Sequence, residues 1–495
     1  MSIKGVWNNI RNKGIKKTWS IHQYDKRMEQ EAREWEKQIP EFERLKKEFR
    51  ETIVLDEKLF KERPFLQLET ELEYKAYMAV VFEKENEYRK RDKTAYEKKY
   101  YNKMRAEYIK RILPRRYNEL KDRPVQENKV IFLESGNSPS PSSSYISIVM
   151  KGQRNGPWKF SGFKWDVHMT GLQVRKVSFL EYFENALHFI EDLSDAKAVF
   201  FSTANDLLSH LEVRPETKVI QLWHGVGVFK KVGYSTVDSA GFGRSAKLRQ
   251  EYDQYRNYTY VTIPSMEQAW IFEDAMHIPV DSGKLVDVGV ARTDQFFNEK
   301  YLTVSRRILD QKFPQTKGKK ILLYVPTFRG TVSDAKAPDA LDIDKLGEAL
   351  ADKGYILLIK HHGLSKNIPP IPKKWENTFA FDMNANKILS IERLLAIADI
   401  CITDYSSVAF EFAIMERPLI FFAYDLEDYI DERGMYYNYD EITPGPVCKT
   451  NEEMIDYIVN IKERFDRKEI HDFREKYVGK CDGHSTERTI ALVEK

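Results

Sequence analysis

Asp399-Ile400-Cys401-Ile402-Thr403-Asp404-Tyr405-Ser406-Ser407 is an apolar, β-branched run that closes on small acidic and hydroxyl residues and opens directly into the helical run Val408 to Met415. A strand that passes into a helix through so short a joint is a unit of a parallel α/β sheet. At such a joint the Ser406 and Ser407 hydroxyls and the free N–H groups of the first helical turn face an anion, as a phosphate site requires. Ordinary N-capping by Asp404 or Ser406 reads the same residues without any ligand.

The same grammar extends outward in both directions. Strands are predicted at 319–326, 354–360, 378–381, 399–403 and 418–423, and an earlier series at 129–134, 165–169, 198–202, 218–223, 260–264 and 284–288. Helical segments separate them, so two doubly wound α/β domains are expected. The boundaries fall near residue 125 and in the hinge Asn298 to Gly318, giving a helical region 1–125 and domains 126–300 and 301–495. Ser138-Pro139-Ser140-Pro141-Ser142-Ser143-Ser144 follows the first strand and fits a strand-to-helix loop, where ligands bind in such sheets.

The region before residue 125 is different in kind. No glycine occurs between Gly14 and Gly136, which favours helix, and 32 basic against 23 acidic residues crowd the first 125 positions. The whole chain of 495 residues carries only +3, so the remainder stands at −6. That balance excludes a strongly basic nucleic-acid binder in bulk. Glu29 to Arg50 and Glu69 to Arg91 read as amphipathic helices, with Pro40, Pro64 and Pro114 as breaks or first-turn residues. Met1 to Tyr24 mixes Ile3, Trp7, Ile10 and Trp19 with Lys4, Arg11, Lys16 and Lys17, the composition of a helix on an anionic membrane surface or of one docked through its tryptophans. No run of eighteen apolar residues is present, and the three cysteines lack the spacing of a disulfide framework or zinc site, so a reducing, cytosolic setting is expected.

Four strand ends carry chemistry. Val219 to Trp223 ends on His224, followed by Gly225, Gly227 and Lys230; a histidine between strand and glycines can approach a ligand and act as a base. Ile321 to Pro326 ends on Thr327-Phe328-Arg329, whose guanidinium fork suits phosphate oxygens. Tyr355 to Ile359 ends on Lys360-His361-His362, and the fourth end is Asp404 to Ser407. Taken singly each reads as a capping or surface group, and no acidic spacing completes a metal shell around the histidines. Together they suit neutralising a pyrophosphate and activating a hydroxyl, which is the work of a transferase using a nucleotide-linked donor.

These residues resemble the CDP-glycerol glycerophosphotransferases of Gram-positive teichoic acid synthesis. The resemblance rests on Trp223-His224-Gly225 with Lys230 and Gly233, Gly289-Val290-Ala291-Arg292-Thr293-Asp294, Tyr324 to Arg329, Lys360-His361-His362, and Ile402 to Ser407 with Phe410, Pro418, Asp425, Arg433-Gly434 and Pro444-Gly445-Pro446. The motifs keep the family's order over residues 128 to 480. Two positions depart from its pattern: Gly363 replaces the proline after His362, and Glu411 replaces the aspartate after Phe410.

The resemblance implies a GT-B fold of two Rossmann-like domains, with a CDP-glycerol or CDP-ribitol donor held by residues 301–495. It implies His224 as general base, His362 as a second catalytic group, and Arg329, Thr403, Asp404, Ser406 and Ser407 around the donor pyrophosphate. Gly225, Lys230, Arg292, Asp294 and His361 become acceptor or supporting residues. It further implies no resident cofactor, a lipid-linked polymer or primer as acceptor, and a peripheral place on the inner leaflet of the cell membrane, with oligomeric state and metal dependence open. Two alternatives remain: a GT-B glycosyltransferase using a nucleotide sugar, and a noncatalytic scaffold at the membrane.

Overall fold

The computed structural model describes residues 15–54, 70–93, 101–134, 144–145, 148, 166–172, 179–237, 253–331, 334–384 and 389–495. Residues 1–14 of the expected interfacial helix, Pro64 and the serine-proline loop 138–143 lie outside them. The chain divides into two compact units, Met1–Ile112 with Val177–Glu184, and Leu113–Lys176 with Asn185–Lys495.

The first unit is helical. Helix Ile15–Thr52 packs on Glu71–Arg91 through Phe49 edge-on to Tyr77 at 5.4 Å, and through the Arg50 guanidinium, which donates twice to Glu83 at 2.8 Å. Thr70 and Glu73 form a capping box at the start of the second helix. Pro40, expected as a break or first-turn residue, lies inside the first helix. Proline removes one intrahelical bond, and a helix of 38 residues continues past it.

The second unit contains two six-stranded sheets, and every strand pairing in them is parallel. The first holds β1 (Gln126–Glu134), β2 (Asp166–Gly171), β3 (Ala196–Phe201), β4 (Lys218–Gln221), β5 (Tyr260–Thr262) and β6 (Leu285–Val286), in the order β2-β1-β3-β4-β5-β6. The second holds β7 (Lys320–Val325), β8 (Tyr355–Ile359), β9 (Ala380–Asp382), β10 (Ile400–Thr403), β11 (Leu419–Phe422) and β12 (Val447–Cys448), in the order β12-β11-β10-β7-β8-β9. Its strand order therefore reverses between β7 and β10, which makes the carboxyl ends of those two strands the crevice where such sheets take ligands. The eleven expected strands are all present, and β12 is additional.

Strand composition explains the layering. Along β7, Ile321, Leu323 and Val325 enter one core while Leu322 and Tyr324 enter another, and β8, β10 and β11 alternate in the same way. Helices thus cover both faces of the second sheet, which is why its strands read as unbroken apolar runs. The former of those cores also takes in Val226, Phe229, Val290 and Phe296, so the two sheets' domains share buried surface.

The chain crosses between the two domains twice. The expected hinge contains the helix Glu299–Lys312, capped by the Asn298 side chain. At the far end, Ile490, Leu492 and Val493 return to the first sheet's core beside Val130 and Phe200. Asp294 holds that return: its carboxylate accepts from the Ser485 and Thr486 N–H groups at 2.9 and 2.8 Å, at the start of helix Ser485–Ala491. Gly289 has φ +82°, and a β-carbon there would sit 2.3 Å from the Lys480 carbonyl.

A buried ion pair ties the domains together. Arg292 donates Nε to Glu411 at 2.9 Å and Nη2 at 3.4 Å, and both residues are buried. Removing one partner of such a pair leaves a charge without compensation and costs about 3–5 kcal/mol. Arg292→Met should lower the midpoint of urea unfolding accordingly, and adding Glu411→Leu should restore most of the loss. An unchanged midpoint in the single variant would show that the pair contributes nothing.

Candidate active site

The loop after β4 is held in a costly conformation. Trp223 has φ +56°, rare for a bulky side chain, and the buried Gln221 fixes it by accepting from the Trp223 N–H at 2.9 Å. This turn presents His224 with its ring 4.4 Å from the Trp223 ring. The His224 side chain is accessible to solvent yet surrounded by protein, as in a cleft. Those surroundings, with the nearby charge of Arg292, hold its pKa below the ordinary imidazole value, against a smaller opposing influence of the Ser202 backbone. His224 is therefore neutral at pH 7, the state a general base needs.

Glycines bring this loop against the second domain. A β-carbon on Gly225 would lie 3.6 Å from the Ser407 hydroxyl, and one on Gly227 would lie 2.2 Å from the Phe410 ring. His224 and Ser407 thus belong to one cleft, as the motifs imply.

On the second domain's side the centre is Arg329. Its guanidinium donates Nε and Nη2 to Asp425 at 2.5 and 2.9 Å, and Nη1 to Asp404 at 3.0 Å and to the Thr327 carbonyl at 2.9 Å. Tyr405, Tyr424 and Tyr429 rings lie 5.1 to 5.5 Å from it. Burial opposes its charge, but Asp404 and Asp425 outweigh burial and keep it firmly protonated. Tyr405 stacks on Tyr429 at 4.0 Å and donates its hydroxyl to Asp425 at 2.8 Å.

Several residues expected around the donor pyrophosphate make contacts within the protein. Asp404 is buried and accepts from the Thr327 N–H at 2.9 Å, the Tyr405 N–H at 2.6 Å and Arg329. The Thr403 hydroxyl donates to the Val325 carbonyl at 2.7 Å inside the sheet. These two residues lock β10 to β7, while Ser406 and Ser407 just beyond are half-buried, the Ser407 hydroxyl lying against the Gly225 loop. The Ser406 hydroxyl accepts from Val408 N–H at 3.3 Å, while Ser407 leaves its helix uncapped. Arg292 and Asp294 likewise support the site through the contacts given above.

The histidine pair divides in two. His361 is buried, its N–H donating to Asn384 Oδ1 at 2.8 Å. His362 is exposed beside Phe328, and its Nδ1 accepts from Leu364 N–H at 3.2 Å, which places the ring proton on Nε2. Burial and the charge of Lys230 lower its pKa. Of the two, His362 faces Lys230 across the cleft. The sequence assigns no role to Asp425, Tyr429 or Glu411, although Asp425 and Glu411 stand at motif positions of the family resemblance.

The family model for CDP-Glycerol:Poly(glycerophosphate) glycerophosphotransferase matches residues 117–495. The teichoic acid poly(ribitol-phosphate) polymerase of Bacillus spizizenii is 32% identical over 371 residues, covering 74% of this chain and 56% of that protein. The chain thus spans just over half of that relative's length. The teichoic acid glycerol-phosphate primase of Bacillus subtilis is 30% identical over 315 residues, 63% of this chain and 77% of that one. Among solved structures, the wall teichoic acid polymerase TagF superposes with a TM-score of 0.60 at 24% identity, over 78% of this chain and 95% of that one, so the two share a fold.

The close approach of the two domains gives a direct check. Gly227→Ala should force its new methyl into Phe410 and cost about 1–3 kcal/mol, read as a lower melting temperature. Gly363→Ala, where nothing lies within 4 Å of the added carbon, should melt with the parent protein.

Proposed function

This chain belongs to the CDP-glycerol:poly(glycerophosphate) glycerophosphotransferase family, and on that premise we propose that it transfers a polyol phosphate from a CDP-polyol to an acceptor hydroxyl in teichoic acid synthesis. The acceptor oxygen attacks the β-phosphorus of the donor. A new P–O bond forms, the bond from that phosphorus to the bridging oxygen breaks, and CMP departs with the electron pair. His224 takes the acceptor's proton. His362, through Nε2, and the Ser406 and Ser407 hydroxyls stabilise the negative charge that spreads over the phosphoryl oxygens. Arg329 acts as the post that holds the loops after β7, β10 and β11 in register.

The observation that carries this reading is the meeting of His224 and Ser407 in one cleft, one from each domain, at the carboxyl ends of their strands. A base on one side and phosphate-binding hydroxyls on the other are what a transfer between two bound substrates requires. The acceptor is a lipid-linked polymer or primer presented at a membrane surface, with residues 1–24 and their lysines and tryptophans as the contact to anionic lipid. No resident cofactor enters the scheme.

Incubation with CDP-glycerol or CDP-ribitol and a synthetic lipid-linked acceptor should yield CMP and a product heavier by whole polyol-phosphate units in a mass spectrum. Release of a different nucleotide, or CDP-polyol binding with no product, would overturn the proposal. His224→Ala should cut turnover on the order of 10²-fold or more. Because the His224 pKa is lowered, its neutral form persists in mild acid, and the acid limb of the rate against pH should fall below about 6.5. An acid limb at or above that value would contradict the assignment of His224 as base.

A further inference from the structure

Lys230 faces the ion-pair cluster but takes no part in it. Its main chain is joined to the second domain by an antiparallel bridge to Met435, flanked by Lys231 N–H to Gly434 O at 3.2 Å and Tyr436 N–H to Phe229 O at 2.9 Å. Its half-buried side chain is directed over the Tyr429 ring, with Nζ 5.6 Å from the centroid. The charged and titratable groups that face it are Asp404 and Arg329 from the loops after β10 and β7, Arg433 and Tyr429 from helix Leu426–Arg433, and His362 after β8. Arg329 is neutralised by two carboxylates, whereas among the described residues no carboxylate comes within 4.0 Å of the Lys230 ammonium.

Burial pulls the Lys230 pKa down to about 7, with Asp404 opposing and Arg433 and Arg329 adding to the fall. A cation held in a crowded cleft without a counter-ion is costly, and an anionic ligand removes that cost. We propose that Lys230 is the cationic contact that the first domain supplies to the donor's diphosphate, completing a site whose other contacts, His362, Ser406 and Ser407, come from the second. This rests on the reading that the cleft takes a nucleoside-diphosphate-linked donor. The bridge to Met435 fixes where the side chain starts, so the two domains must be in register for the donor site to be complete. Lys230 then takes up a proton as the diphosphate enters.

The test is calorimetric binding of CDP-glycerol and of cytidine from pH 6 to pH 9. CDP-glycerol suits it because both its phosphates stay ionised over that range, and His362 is already neutral above pH 7. The parent protein should bind CDP-glycerol up to tenfold more weakly for each pH unit above about 7. Lys230→Met should lose about tenfold or more in CDP-glycerol affinity at pH 6, keep its affinity for cytidine, and melt no lower than the parent. Lys230→Arg should bind CDP-glycerol with little pH dependence. Equal CDP-glycerol affinity in Lys230→Met, or an unchanged pH profile in Lys230→Arg, would overturn the proposal while leaving the functional reading intact. A parent protein that binds no CDP-glycerol would remove that reading, and this inference with it.

Discussion

The site depends on one guanidinium. Arg329 lies between Asp404 and Asp425, and each of the three residues stands in the loop after a different strand of the second sheet, β7, β10 and β11. A planar fork that engages two carboxylates at once fixes angles as well as distances. Lysine could supply the charge but not the geometry. Through Asp404 the fork also fixes the Thr327 N–H and the start of Tyr405, and through Asp425 it fixes the Tyr405 hydroxyl. Ser406 and Ser407 are the next residues along, so their positions follow from a contact in which they take no part.

That cluster also accounts for the electrostatics of the cleft. A half-buried arginine balanced by two aspartates leaves little net field to attract a dianionic donor by itself. On the proposed function, attraction falls to Lys230, outside that pair and held at lowered pKa by burial, while His362, also lowered, offers a hydrogen bond rather than a charge. Preorganisation and attraction are therefore divided between different residues. The division is physically sensible, since a residue that must hold three loops still cannot also move to meet a substrate.

Much of this architecture is legible in the sequence, and the limits are specific. The strands of the second sheet are buried on both faces, so Ile321 to Val325 and Tyr355 to Ile359 announce themselves as apolar runs whatever their neighbours. Their order is not written there, because a parallel sheet gives no local sign of which strand lies beside β10. Likewise Arg329 reads as a phosphate ligand, since its partners Asp404 and Asp425 lie 75 and 96 residues away and nothing local marks them as pairs. The family resemblance places Thr403 and Asp404 in the ligand set as well. In the motif they stand beside Ser406 and Ser407, and only the fold separates those facing the sheet from those facing the cleft.

The first domain shows the converse relation between local strain and long-range packing. Trp223 occupies a left-handed conformation that its own side chain disfavours, and the cost is met by the Gln221 contact and by the ring packing on Phe272 at 5.5 Å. Two residues later the chain has no side chain at Gly225, and again none at Gly227, where Phe410 of the other domain fills the space. A strained residue, a histidine and two bare backbone positions in five consecutive residues form a single device. The strain turns His224 out of the sheet, and the glycines let the second domain close to within contact of it. Substituting alanine at Gly227 or relaxing Trp223 would leave His224 and Ser407 in place in the chain, but the two loops that carry them would no longer meet as closely.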